Sequence, residues 1–231
     1  MKKLPILISM PHGGELIPDE VSDICILSKA DLIQDSDEQT HEIYEDLAFE
    51  AQEVIRADVA RAIVDMNRDK GDFSKDGVIK THTCFDVPVY KTQPTESLNQ
   101  HLLDKYYHPY HAALSAAAKS GVKLGLDCHT MAAVAPPVSP DVGNERPIIC
   151  ISNRNGETCP NEWIEELAKM IKKHFDTVQI NRPFAGGYIV RSHCHEMPWI
   201  QIEYSRTLDV DVNLKARVVK EVICEWVRKN F

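Results

Sequence analysis

What this sequence lacks closes off several classes of function. No stretch approaches the ~20 consecutive apolar residues that would span a bilayer. Positive charge is short: 26 Lys and Arg against 35 Asp and Glu leave a net charge of −9, the wrong sign for gripping nucleic acid or an anionic membrane. The seven cysteines (25, 84, 128, 150, 159, 194 and 224) are odd in number and scattered, with no C-x-x-C pair. That argues against a disulfide framework and for a reducing compartment. Neither a Walker A sequence nor G-x-G-x-x-G occurs, so nucleotide binding has no motif to rest on. Repeats, low-complexity tracts and linkers are also missing. For 231 residues, 43% of them hydrophobic, the expectation is one domain over residues 1–231, soluble and cytoplasmic, without nucleic-acid or membrane partners.

The opening "MKKLPILISMP" has the charged-then-apolar profile of a secretory signal. Its apolar core is short, Pro5 and Pro11 interrupt it and no small-residue cleavage site follows, so it reads as a first strand. A helix is predicted within "DSDEQTHEIYEDLAFEAQEVI", where Ser36 and Gln39 have capping-box spacing and Ile43, Leu47, Ala51 and Ile55 share a stripe. "VARAIVDMNR" (59–68) reads as a second strand, followed by some thirty residues without a period. Residues 97–119 read as helical, kinked or split at Pro109. "VKLGLDCH", "RPIICIS", "TVQIN", "YIVRS" and "WIQIEYS" are further strand candidates, and helices are expected near 161–174 and 211–228. The Pro-rich "AAVAPPVSPDVGNERP" must be loop. Alternating strands and helices predict an α/β protein with a mostly parallel sheet covered on both faces.

Several predicted strands end in polar residues: His12 after the first, Asp65, Asn67 and Arg68 after the second, Asp127 and His129 after the third, and Glu203 later. In a parallel sheet the carboxyl ends share one edge, so these groups would converge in one crevice. Two imidazoles and a carboxylate with an open position describe a hydrolytic zinc site. Glu203, at the end of an apolar strand, suits a general base whose pKa is raised by desolvation. The third ligand has two candidates: Glu15, in "HGGE" with H-x-x-E spacing, and Asp37, beside a predicted helix start. Asn67 and Arg68 resemble a carboxylate clamp, with Arg191 a second candidate after Gly186 and Gly187. His193 and His195 in "HCH" form a weaker rival metal pair. Cys128 beside His129 is badly placed for a nucleophilic dyad, since strand neighbours point to opposite faces.

Six motifs taken together, "LPILISMPHGG", "DSD", "RAIVDMNR", "LDCHT", "NRPFAGGYIVR" and "IQIEYSR", resemble the N-formylglutamate amidohydrolase family over about residues 4–210. The resemblance implies a three-layer α/β/α fold with a mostly parallel mixed sheet, like that of zinc-dependent exopeptidases and aspartoacylases. It implies His12, Asp37 and His129 as ligands of Zn2+ or another divalent metal, which favours Asp37 over Glu15. It also implies Glu203 as general base, Asn67 and Arg68 as carboxylate binders and Asp127 as the orienter of His129. The implied activity is hydrolysis of an N-acyl amino acid, N-formylglutamate to formate and L-glutamate, in the context of histidine degradation. The alternatives are a metallopeptidase or deacylase on another amide, or a non-catalytic protein that binds carboxylate ligands.

Overall fold

The protein is described as a computed structural model covering residues 3–231. Its centre is a six-stranded sheet in the order β2-β1-β3-β6-β4-β5, built from β1 (Leu4–Met10), β2 (Ala51–Arg56), β3 (Leu124–Met131), β4 (Ile149–Ser152), β5 (Val178–Ile180) and β6 (Trp199–Ser205). All neighbours run parallel except β4 against β6. The helices are α1 (Asp19–Ser22), α2 (Lys29–Asp35), α3 (Thr40–Glu50), α4 (Glu96–Leu102), α5 (His108–Ala118), α6 (Asn161–Ile171), α7 (Tyr188–His193) and α8 (Val212–Asn230). None is long and apolar enough to cross a membrane.

Two apolar cores sandwich the sheet, and the strand period of two decides which residue joins which. Ile6, Ile8, Leu126, Cys128, Ile200 and Ile202 face the first core, where Leu47 of α3, Leu167 of α6 and Val222 of α8 meet them. Leu7 and Trp199 face the second, with Leu114 of α5 and Ile189 of α7. This is the expected three-layer α/β/α arrangement. Gly125 has a specific task in it: a Cβ there would lie 2.4 Å from the ring of Trp199, its register partner on β6.

Most predicted elements are present, with instructive exceptions. The stripe through Ile43 and Leu47 stops at Glu50, and 51–55 belong to β2, because Ala51 turns extended and pairs with β1. The capping box proposed for Ser36 and Gln39 is absent: Gln39 sits at φ 69° without a side-chain cap. A capping box exists instead at Ser28 and Asp31 of α2. Residues 59–68 form turns, closed by Ile63 N–H and Val64 N–H donating to the Ala60 carbonyl. Their apolar character comes from burial in the second core. "YIVRS" is the short helix α7. Near Pro109 the helical region divides as expected, with a π-helical turn, Leu103–Tyr107, before α5.

Candidate metal centre

The same alternation that sends Leu126 and Cys128 into the first core sends Asp127 and His129 to the opposite face. In-register pairing extends this polar stripe across the sheet. Ser9 pairs with Asp127, Asp127 with Gln201, and His129 with Glu203. The β1 carboxyl end brings His12 alongside, and the turn between α2 and α3 brings Asp37, whose N–H donates to the His12 carbonyl at 3.1 Å.

His12, Asp37 and His129 are buried, and one potential ligand atom from each lies within 4.8 Å of the others. Asp37 Oδ2 is 2.8 Å from His129 Nδ1 and 3.5 Å from His12 Nδ1. The far nitrogen of each imidazole is bound to a buried carboxylate: His12 Nε2 to Asp65 Oδ1 at 2.7 Å, and His129 Nε2 to Asp127 Oδ2 at 2.9 Å. Outer carboxylates of this kind fix the tautomer of metal-binding histidines and strengthen them as ligands. His12 Nδ1 is buried with no hydrogen-bond partner. A buried ring nitrogen facing a carboxylate oxygen at 3.5 Å without a hydrogen bond is costly unless a cation or a proton occupies the gap. The donor set therefore fits a divalent metal.

The electrostatics agree. Burial alone would raise the Asp37 carboxyl, but the two imidazoles hold it well below the usual carboxylate range. Burial would lower His129, but Asp127 and Glu203 push it well above the ordinary imidazole value. A metal at this position would compete with a proton for His129. Asp65 is also depressed against its burial, by His12, Arg68, Arg61 and Lys80. Fully buried Lys80 lies 3.3 Å from Asp65.

A cavity of about 330 Å³ opens over this cluster, lined by His12, Asp37, Asn67, His129 and Glu203 among others. Glu203 accepts from Gln201 Nε2 at 2.9 Å, and its burial pushes the carboxyl up to about 8. Asn67 is committed to protein partners: Oδ1 accepts from Ile189 N–H at 2.8 Å, while Nδ2 donates to Asp127 at 3.4 Å and lies 3.2 Å from His129 Nε2. The close approach permitted by Gly187 is to this amide, which a Cβ would meet at 2.4 Å. Arg68 lines the cavity with its guanidinium already engaged by Asp76 at 2.7 Å and by the Asn67 carbonyl at 3.1 Å.

Two rival metal candidates and one substrate-binding candidate lie away from the cluster. Glu15 is exposed and outside both the ligand cluster and the cavity lining, because the chain after Gly14 turns away to bond Asp58 through Leu16. Arg191 also points outward, over the Tyr188 ring, since α7 replaces the predicted strand. His193 ends that helix with its ring buried, while His195 lies beyond it with its side chain 73% exposed, so the two are not placed to share an ion. Sequence reasoning missed Arg61, which binds Asp37 at 3.2 Å and Asp65 at 3.3 Å. Its i,i+4 spacing to Asp65 inside an apolar segment was the available signal. The part played by Asp65 was missed as well.

Over residues 4–209 the chain matches the family described as N-formylglutamate amidohydrolase. It belongs to that family. N-formylglutamate amidohydrolases are hydrolases of carbon–nitrogen bonds in linear amides, and the metal-capable cluster lies within the matched span. An N-formylglutamate deformylase from Pseudomonas putida is 24% identical over 204 residues, 83% of this chain and 75% of the relative. A crystal structure of N-formylglutamate amidohydrolase from Ralstonia eutropha superposes with a TM-score of 0.81 at 21% identity, covering 100% of this chain and 96% of the other. A gene product of Agrobacterium tumefaciens gives a TM-score of 0.76 at 16% identity, covering 99% and 89%. These two structures share the fold.

Proposed function

We propose that this protein is a metal-dependent amidohydrolase that cleaves the formamide bond of N-formyl-L-glutamate to formate and L-glutamate. The reading is carried by one observation: two buried imidazoles turn Nδ1 toward Asp37 while each Nε2 is held by a buried carboxylate. His12, Asp37 and His129 would hold the ion, and two nitrogens with one oxygen suit Zn2+. Such an ion would supply Lewis acidity to the carbonyl and to water, and its positive charge would favour the ionised form of Glu203, which burial otherwise holds up at about 8. Glu203 accepts the proton of the attacking water and delivers it to the departing nitrogen. The carbon–oxygen bond thus forms and the carbon–nitrogen bond breaks without an external acid. Asp127 and Asp65 hold the imidazoles in orientation, Asn67 steadies the Asp127–His129 pair, and Arg68 faces the substrate's α-carboxylate.

The test is metal analysis of the purified protein, then chelation and zinc add-back with N-formyl-L-glutamate, N-acetyl-L-glutamate and a dipeptide compared by kcat/KM. Turnover should vanish on chelation, return with zinc and favour the formyl substrate. Turnover by metal-free protein, or thermal stabilisation by substrate without product, would overturn the proposal.

A further inference from the structure

Four guanidinium groups line the cavity, those of Arg61, Arg68, Arg146 and Arg206. Three have carboxylate partners in the protein. Arg61 bridges Asp37 and Asp65. Arg68 is paired with Asp76. Arg146 makes two bonds to Asp141, at 3.0 and 3.1 Å, and stacks over Phe184. Arg206 differs. Among the described residues its side chain has a single partner, the Ser36 carbonyl at 2.7 Å from one terminal nitrogen, and no carboxylate. It is half-buried and pinned at the end of β6 by its own N–H, which donates to the Met131 carbonyl at 2.8 Å. Ser36 adjoins Asp37, and Glu203 stands three residues before Arg206, so this fork lies beside the candidate metal centre.

A half-buried guanidinium without a counter-charge is a standing cost that an anionic ligand relieves, and its planar fork matches a carboxylate in two-point contact. We infer that Arg206 is the residue of this chain that anchors the substrate's side-chain carboxylate and so sets the preference for an acidic over an uncharged side chain. The inference rests on the amidohydrolase reading above. Arg68 serves the α-carboxylate, and Arg206 distinguishes an acidic side chain from its uncharged isostere.

The experiment compares N-formyl-L-glutamate with N-formyl-L-glutamine in wild type, Arg206→Gln and Arg206→Lys. Wild type should favour the acid by about 10- to 100-fold in kcat/KM, the worth of a charge-assisted contact, mostly through KM. Arg206→Gln should bring the ratio near one by losing the acid alone. Arg206→Lys should fall between, a point charge without the fork. A ratio unchanged in Arg206→Gln, or a wild type indifferent to the two substrates, overturns the inference. Titration calorimetry of glutarate against its monoamide on the zinc-loaded protein gives an independent reading. Tighter glutarate binding that Arg206→Gln abolishes supports the anchor even if neither formyl substrate is hydrolysed, in which case the amidohydrolase reading alone falls. Equal binding of the two by wild type overturns the anchor.

Discussion

Glu203→Gln replaces one carboxyl oxygen by an amide nitrogen, keeping shape and removing a titration. In the metal-free fold this carboxyl is held at about 8, against 4.5 for an ordinary glutamate, chiefly by burial. Between these values the native chain holds the proton and the unfolded chain has lost it. Unfolding therefore releases a proton, and raising the pH weakens the fold. The slope approaches about 1.4 kcal/mol per pH unit, and over the whole window sums to on the order of 4–5 kcal/mol at most. Asp37 and Asp65, whose carboxyls are depressed, act in the opposite sense and only as pH falls below their ordinary 3.8, outside this window. His129, raised by folding, adds a slope of the same sign above 6.5; Asp127, the larger of the two charges that raise it, is kept in the variant, so the part of that slope due to Asp127 is common to both proteins. Urea unfolding in EDTA, followed by tryptophan fluorescence from pH 5 to 8.5, measures that difference. Relative to wild type, Glu203→Gln should gain stability progressively with pH. A wild-type-minus-variant difference that stays within about 0.5 kcal/mol across the range would refute the buried, neutral carboxyl. Turnover in the same variant should fall roughly 10²- to 10⁴-fold, the usual contribution of a positioned acid–base group.

Replacing His129 with Ala should abolish both bound metal, read by plasma emission, and hydrolysis. Asp65→Asn should leave the ligands in place yet weaken metal affinity about 10- to 100-fold in a chelator competition, because the outer partner of His12 loses its charge. Gly125→Ala should destabilise the fold by about 1–3 kcal/mol in chemical denaturation, through a Cβ driven against Trp199. Arg191→Ala should leave KM within about twofold of wild type, since that side chain is exposed and lies outside the cavity lining.

Much of the site was legible because strand chemistry writes itself locally. "LGLDCH" alternates, and a period of two separates Leu126 and Cys128 from Asp127 and His129 whatever the neighbours are. Strand ends in a parallel sheet share an edge, so the sequence alone gathers His12, His129 and Glu203 at one crevice. The errors also have local causes. Apolar residues 59–66 are buried as turns, and hydrophobicity reports burial without reporting which backbone does the burying. Ala51 and Ile55 fit a helical stripe equally well as a continuation of α3 or as strand, and pairing with β1 chose the strand. Arg191 was misplaced by the same ambiguity in "YIVRS".

By itself the sequence determined the layered α/β architecture, the polar strand termini and the identity of the groups able to bind a metal. Short-range periodicity and side-chain chemistry carry that information residue by residue. Only the tertiary structure decided which carboxylate faces both imidazoles, that Asp65 lies behind His12, that Glu15 and Arg191 lie outside, and that Arg206 alone among four cavity arginines lacks a carboxylate partner among the described residues. Those are matters of pairing between segments far apart in the chain. Coulomb energy and hydrogen bonding depend on the distances that folding sets, and those distances are not written in the spacing of residues along the chain.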